Sequence, residues 1–253
     1  MTTPAPSAIY PSLKGRKVLI TGGGSGIGAG LVTGFVRQGA IVHFIDLVDD
    51  VSATLDTGVI GRKPVFHKCD LTDTPLLEKT LATILADGPV HILLNNAARD
   101  DRHSLSEVTS EFFDANIAVN LKHMAMCTRA IAPGMKAAGG GAILNFGSIS
   151  WHLGLPDLVL YETAKAAIEG FTRALARELG PDNIRVTTII PGNVKTKRQE
   201  KWYTPEGERQ IVEAQCLPGR IVAENVASLA MFLASDDAAL CTGHGYWIDA
   251  GWR

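Results

Sequence analysis

Thr21-Gly22-Gly23-Gly24-Ser25-Gly26-Ile27-Gly28 joins a β-branched, apolar run at 17–22 to a segment that offers Ala29, Leu31, Val32 and Phe35 for packing. Strand, tight glycine turn and helix follow one another there. A Cβ in such a turn would block both the close approach of backbone to a pyrophosphate and the positive φ angles the turn needs. The first turn of the helix then faces the anion with unpaired N–H groups. Glycine clusters are common in ordinary loops. Placement at the first strand-to-helix junction is what marks this one as a phosphate cradle, with Gly22, Ser25, Gly26, Ile27 and Gly28 against the cofactor.

The second apolar run ends at Asp46, 20 residues beyond Gly26, where a dinucleotide fold brings the chain beside the adenosine ribose. A carboxylate there accepts two hydroxyl hydrogen bonds and repels the 2′-phosphate of NADP. Neither the glycine loop nor Leu47 supplies an Arg or Lys to offset that repulsion, so NAD is the expected cofactor. The alternative is that Asp46 only closes a strand before the Asp49-Asp50 turn.

Further strands are expected at 64–70, 90–97, 141–148, 184–192 and 243–251, which with those at 17–22 and 40–46 makes seven. Most are continuous apolar blocks without in/out alternation, the pattern of parallel strands covered on both faces. Helical segments at 26–38, 75–86, 111–138, 161–179 and 223–234 are long enough for right-handed crossovers between them. No linker divides the chain, which predicts an α/β, single-domain Rossmann fold over 16–253, a seven-stranded parallel sheet with helices on both faces, preceded by a flexible arm at 1–15. One excursion, at 193–219, crowds Lys195, Lys197, Arg198, Glu200, Lys201 and Glu206 around Trp202 and Tyr203. It reads as a substrate lid, with a solvated face as the alternative.

With 46% apolar and 20% charged residues the chain can bury a sizeable core, which sets the disordered and fibrous classes aside. A formal net charge of -2 is too weak a field to draw in nucleic acid or an anionic membrane. Cys69, Cys127, Cys216 and Cys241 include no C-x-x-C pair and read as reduced core thiols, and the histidines include no H-E-x-x-H, so no metal is expected. Residues 1–15, with Pro4, Pro6 and Pro11, lack the basic start and apolar run of a signal peptide, and no later run reaches the ~20 apolar residues of a membrane helix. A cytoplasmic protein is expected.

Tyr161-Glu162-Thr163-Ala164-Lys165 puts a phenol and an ammonium on one helix face, one turn apart. A tyrosine with its ordinary pKa near 10 is protonated at neutral pH; to act as a base it needs its phenolate stabilised by roughly 3 units, about 4 kcal/mol. A neighbouring ammonium in a dry cleft, with an oxidised nicotinamide nearby, can supply that amount. Ser148 closes the fifth strand at its carboxyl end, where α/β proteins place ligands, and its hydroxyl can hold the reacting oxygen. Asn120, an amide in the apolar setting of the 111–138 helix, can join Lys165 to solvent through a water.

In order and spacing these residues resemble the short-chain dehydrogenase/reductase family over essentially everything after the arm: T-G-x-x-x-G-x-G at 21–28, Asp70-Leu71, Asn95-Asn96-Ala97, Asn120, Ser148, Tyr161, Lys165 and Pro191-Gly192-x-x-x-Thr196. The resemblance implies that Asp70 and Leu71 contact adenine, that Asn96 and Ala97 line the adenosine side, and that Val194 and Thr196 hold the nicotinamide carboxamide. It implies acid/base work for Tyr161, a pKa-tuning and ribose-clamping role for Lys165, substrate orientation by Ser148, and a relay anchored on Asn120. The chain departs from the family in one place, where Ala98 stands for the usual glycine after Asn95-Asn96-Ala97; a positive φ there would strain it. A small shift in cofactor fit is expected.

Ser150, Trp151 and His152 follow Ser148, Asn193 sits beside the nicotinamide loop, and Trp202 lies in the excursion. Polar-tipped aromatics and amides suit a polyhydroxylated ligand, whose C–H faces pack on indole and whose hydroxyls need directional hydrogen bonds. Packing roles for Trp151 and Trp202 are the alternative. The runs at 148–155, 193–207 and 247–253 resemble the aldose 1-dehydrogenases of the family. That implies a pentose, D-xylose or L-arabinose, losing hydride from C1 to NAD while Tyr161 takes the O1 proton, with an aldonolactone as product. Other sugars, polyols and 3-oxoacyl thioesters are rival substrates, and a non-catalytic NAD sensor is the rival of another class. The resemblance also implies a homotetramer, with helices 111–138 and 161–179 across one contact and the last strand with its tail across another.

Overall fold

A computed structural model describes residues 8–48, 62–200 and 203–252. Seven strands, β1 (Lys17–Thr21), β2 (Ile41–Asp46), β3 (Val65–Lys68), β4 (Ile92–Asn95), β5 (Gly141–Phe146), β6 (Ile184–Pro191) and β7 (Gly245–Ile248), form one sheet in the order β3-β2-β1-β4-β5-β6-β7. Every pairing is parallel, from Val18 opposite both Val42 and Ile92 to Ile190 opposite Trp247. Strand order reverses between β1 and β4, which opens a crevice beyond the carboxyl ends of those two strands.

The absence of in/out alternation is explained by cover on both faces. Val18 and Ile20 of β1 join Leu31, Val32 and Phe35 of α1 (Gly26–Arg37) and Val226, Ala230 and Met231 of α9 (Ala223–Ala234) in one core. Leu19 points the other way, into a core with Leu77 and Leu81 of α2 (Thr74–Leu85) and Cys127, Ile131 and Met135 of α4 (His123–Ala137). The inner strands β1, β2, β4, β5 and β6 are covered on both faces and largely apolar, whereas the edge strands β3 and β7 keep partly exposed positions, with His67 and Lys68 on β3.

Three expectations are corrected. The helix at 111–138 is not continuous: α3 (Ser110–Ile117) passes into a π turn (Ala118–Lys122) before α4. The added residue in that turn lets the buried Asn120 side chain reach out to the β4 loop, accepting from Arg99 N at 2.8 Å and donating to Arg99 O at 3.0 Å. The arm is not wholly loose, because Leu13 is fully buried and Tyr10 N donates to Gln38 Oε1 at 2.9 Å. Of the thiols expected in the core only Cys69 and Cys127 are buried; Cys216 is exposed because it lies in the turn after α8 (Pro205–Glu213). Two more short helices follow Ser148 and Thr196, α5 (Ser150–Leu153) and α7 (Lys197–Glu200), and the long α6 (Val159–Leu179) lies between them. No described helix is long and apolar enough to cross a membrane.

Candidate active site

The crevice is a cleft of about 990 Å³, and every residue assigned above to the cofactor lines it: the glycine turn, Asp46 and Leu47, Asp70 and Leu71, Asn96 to Ala98, Tyr161 and Lys165, and Pro191, Gly192, Val194 and Thr196. Its floor is stitched from two strand ends. Thr21 Oγ1 accepts from Asn96 N and Ala97 N at 3.0 and 3.1 Å, and Asn96 Nδ2 donates to Thr21 O and Gly22 O, both at 3.0 Å. A Cβ at Gly22, whose φ is +67°, would sit 2.8 Å from Ala97 Cα, and one at Gly28 would sit 1.7 Å from Gly22 O. Only glycine permits that turn.

Asp46, at the end of β2, holds the turn from the other side: Oδ2 accepts from Gly24 N at 2.7 Å and Oδ1 from Leu47 N at 2.7 Å. The carboxylate is thus fixed at the rim with lone pairs to spare. A cradle that a side chain would fill, the first turn of α1 and this carboxylate fit the pyrophosphate and the adenosine ribose of a nicotinamide dinucleotide. Ala98 does not have the positive φ that would strain it.

Tyr161 and Lys165 stand one turn apart on α6, with Nζ 5.4 Å from the phenol ring centre. Nζ donates to Phe146 O at 2.7 Å, at the end of β5. Burial lowers the Lys165 pKa to about 7, opposed by the negative charge of Asp100. Its neutral form has lone-pair character and its charged form is costly, so the ammonium is sensitive to whatever charge the cleft receives. Ser148, past β5, faces the same cleft and its Oγ accepts from Ser150 N at 3.1 Å. Asn120 lies behind these groups, its amide donating also to Asn116 Oδ1 at 2.9 Å.

Ser150 and Asn193 line the cleft, whereas Trp151 and His152 do not. Trp151 Nε1 and His152 Nε2 each lie 3.0 Å from Glu169 Oε1 of α6, and His152 packs on Trp247 of β7 at 4.3 Å between ring centres. Both rings are therefore spent on packing α5 against α6 and β7. Trp202 lies outside the described residues. The cleft also takes in Arg99, Asp100, Leu155, Leu158, Gln199 and Trp252, to none of which the sequence assigned a role. Leu155, Gln199 and Trp252 carried a signal, since they lie in the runs at 148–155, 193–207 and 247–253; Arg99 and Asp100 carried none.

Behind the site His123 of α4 is fully buried, its ring in reach of the Val119 backbone. Burial, reinforced by the Lys165 charge and opposed by that backbone contact, lowers its pKa to about 3. His43 is lowered to about 4, by burial and then by the neighbouring His67. Both stay neutral in the fold but take up protons in the unfolded chain once pH falls below about 6.5. Stability should therefore decline below pH 6.5, the His43 share levelling off near pH 4 and the His123 share near pH 3, and owe nothing to these groups above pH 6.5. Around pH 5, where His123 is neutral folded and charged unfolded, it contributes a slope of ~1.4 kcal/mol per pH unit. Urea unfolding across this range should show His123→Leu with a shallower slope than the wild type; equal slopes would contradict a buried neutral imidazole.

Comparison with known proteins agrees with this geometry. A family model described as enoyl-(acyl carrier protein) reductase matches residues 22–253. The chain is 67% identical over 249 residues to D-xylose 1-dehydrogenase of Caulobacter vibrioides, covering 98% of this chain and 99% of that one. It is 45% identical over 251 residues to a probable galactose dehydrogenase of Rhizobium meliloti, covering 97% and 98%. Among solved structures, a 7α-hydroxysteroid dehydrogenase complexed with NADH and 7-oxo glycochenodeoxycholic acid superposes with a TM-score of 0.90 at 27% identity, covering 96% of each chain. The 3-oxoacyl-[acyl-carrier protein] reductase of Brucella melitensis also superposes at 0.90, with 30% identity over 99% of this chain and 96% of that one.

Proposed function

We infer the reaction from one premise: the chain belongs to the short-chain dehydrogenase/reductase family. It is an oxidoreductase that takes a cyclic aldose at C1 to the lactone, D-xylose first and L-arabinose as a second pentose of similar shape. The observation that carries this reading is a single cleft holding the glycine cradle, Asp46, Ser148, Tyr161 and Lys165 together. Likeness to a D-xylose 1-dehydrogenase at 67% identity supports the choice of substrate.

Ser148 and Tyr161 hold the sugar's O1 between two hydroxyls. Tyr161 takes the O1 proton as the C1–H bond breaks and the C1 carbonyl forms, so the substrate loses one proton and one hydride. NAD, when bound, supplies the hydride acceptor. Lys165 keeps the phenolate tolerable in the dry cleft, and Asn120, fixed between Asn116 and the Arg99 backbone, anchors the route by which the proton leaves. The segment from Asn193 to Gly219, folded into α7 and α8, covers the sugar. In the same reading the enzyme works in the cytoplasm as a homotetramer, with the helical stretch at 111–138 and α6 across one contact and β7 with the tail across another.

NAD is preferred to NADP because the Asp46 carboxylate is held at the rim by backbone amides and cannot swing away from a 2′-phosphate. Initial rates with both cofactors over a pentose and hexose panel test substrate and cofactor together. D-Xylose with NAD should give the highest kcat/KM. Asp46→Ala should narrow the NAD-to-NADP ratio about 100-fold, the scale of one or two hydrogen bonds to a charged group plus a relieved repulsion. Equal use of NADP by the wild type would remove Asp46 from this role, and no turnover of any aldose would leave a polyol or an acyl thioester as substrate.

A further inference from the structure

Between α8 and α9 the chain buries a guanidinium beside the cleft. The Arg220 side chain is 10% exposed; Nη1 lies 2.6 Å from Glu208 Oε2 on α8, and the guanidinium carbon lies 4.6 Å from the Tyr203 ring centre. Nη2 lies 2.7 Å from Asn193 Oδ1 and 3.1 Å from Tyr203 Oη. The next residue, Ile221, bridges to Val194, so Arg220 and Asn193 are held side by side by backbone as well. Glu208 offsets the cost of burying the cation, and Arg220 in turn holds the Glu208 carboxyl below its ordinary range.

Proton accounting fixes the orientation of the amide. Arginine has donors and no acceptor, so the Asn193 atom facing Nη2 must be oxygen. Tyr203 Oη lies 2.6 Å from that oxygen and 2.6 Å from the position of Gln199 Oε1, but a phenol has one proton and can donate to only one of the two. Two bare oxygens at 2.6 Å repel, and Asn193 cannot turn its nitrogen towards Tyr203 without turning its oxygen away from Arg220. The phenol therefore donates to Asn193, and Gln199 presents its amide nitrogen to the phenol oxygen. Asn193 lines the cleft with Ser148 and Tyr161, and its oxygen is committed twice on the outer side. Its –NH2 is the end left for the cleft.

We propose that Arg220 is a positioning residue for substrate recognition: with Tyr203 it locks the Asn193 amide so that the –NH2 donates to an oxygen of the sugar. The proposal rests on the aldose reading and deepens it. Arg220 itself touches no substrate; it acts through Asn193. Gln199 lines the cleft beside Asn193, so two side-chain amides border the ligand, which suits one dense in hydroxyls and gives nothing to an apolar one.

The test is a double-mutant cycle on the full-length enzyme with D-xylose and its 2-, 3- and 4-deoxy analogues. Wild type should discriminate against one deoxy analogue by about tenfold or more in kcat/KM, the value of a donor left without its acceptor. Asn193→Ala and Arg220→Gln should each raise the D-xylose KM about tenfold with a smaller change in kcat, and each should erase that discrimination. The double variant should be no worse than Asn193→Ala, and Arg220→Lys, which keeps the charge and a donor, should fall between wild type and Arg220→Gln. NAD affinity, read by fluorescence, should hold within about twofold in every variant. Should Arg220→Gln fail to fold, Asn193→Ala and Tyr203→Phe still decide through the deoxy-sugar discrimination. Additive effects in the cycle, or retained discrimination in Asn193→Ala, would overturn the proposal while the aldose reading stands. A wild type inactive on every aldose would overturn both.

Discussion

Tyr161→Phe should bind NAD as the wild type does and turn over D-xylose about 10² to 10⁴ times more slowly, the range that general acid-base groups contribute. The substitution removes one oxygen and no carbon from the cleft, so the shape of the site is kept and α6 loses no packing. In the proposed reaction, what disappears is the group that takes the O1 proton as hydride leaves C1. Without it the alkoxide must form against water or Ser148, whose ordinary hydroxyl is a far weaker base than a phenolate. Burial lowers the Lys165 pKa to about 7, so it is poised to respond to charge in the cleft. Steady-state rates and NAD titration by fluorescence on the same preparation give the comparison. A variant retaining more than about a tenth of wild-type kcat would mean that some other group carries the proton.

What the chain disclosed before folding was whatever is local or periodic. The inner strands were legible because strands covered on both faces carry long apolar runs, and the cradle because its glycines are contiguous with the strand and helix they join. Tyr161 and Lys165 were legible because a helix converts a spacing of four into a shared face. Residues that act across the fold left no such trace. Arg220 lies far along the chain from Asn193 and meets it only because Ile221 bridges to Val194. Trp151 and His152 follow Ser148 in sequence, but α5 turns them onto Glu169 and Trp247, so closeness along the chain gave the wrong partners. The π turn was hidden for a related reason. Its cause is the pull of Asn120 on the Arg99 backbone, a contact between β4 and the following helix that periodicity does not register.

The same logic sets the severest structural prediction at Gly28. Its backbone packs under the Gly22 carbonyl, where an added Cβ would lie 1.7 Å from the oxygen and 2.9 Å from Asn96 Nδ2. That carbonyl accepts from Asn96 Nδ2 at 3.0 Å, so the methyl cannot be accommodated by a side-chain swing; it must push α1 away from β1 or break the stitch between β1 and β4. Either movement opens the cradle that the pyrophosphate would occupy and loosens Leu31, Val32 and Phe35 from the core. Gly28→Ala should cost about 3 kcal/mol in stability, the upper range for an overpacked site, and should weaken NAD binding at least about 100-fold in the fraction that folds. Gly134→Ala in α4 is the matched control: its Cβ would make an ordinary 3.5 Å contact with Pro89, and replacing a helical glycine should stabilise by roughly 0.5 to 1 kcal/mol. Urea unfolding of both variants, with NAD titration of the first, separates the effects. If Gly28→Ala bound NAD as tightly as the wild type, the turn could not be the phosphate cradle, and the cofactor would have to be held chiefly by the far wall of the cleft.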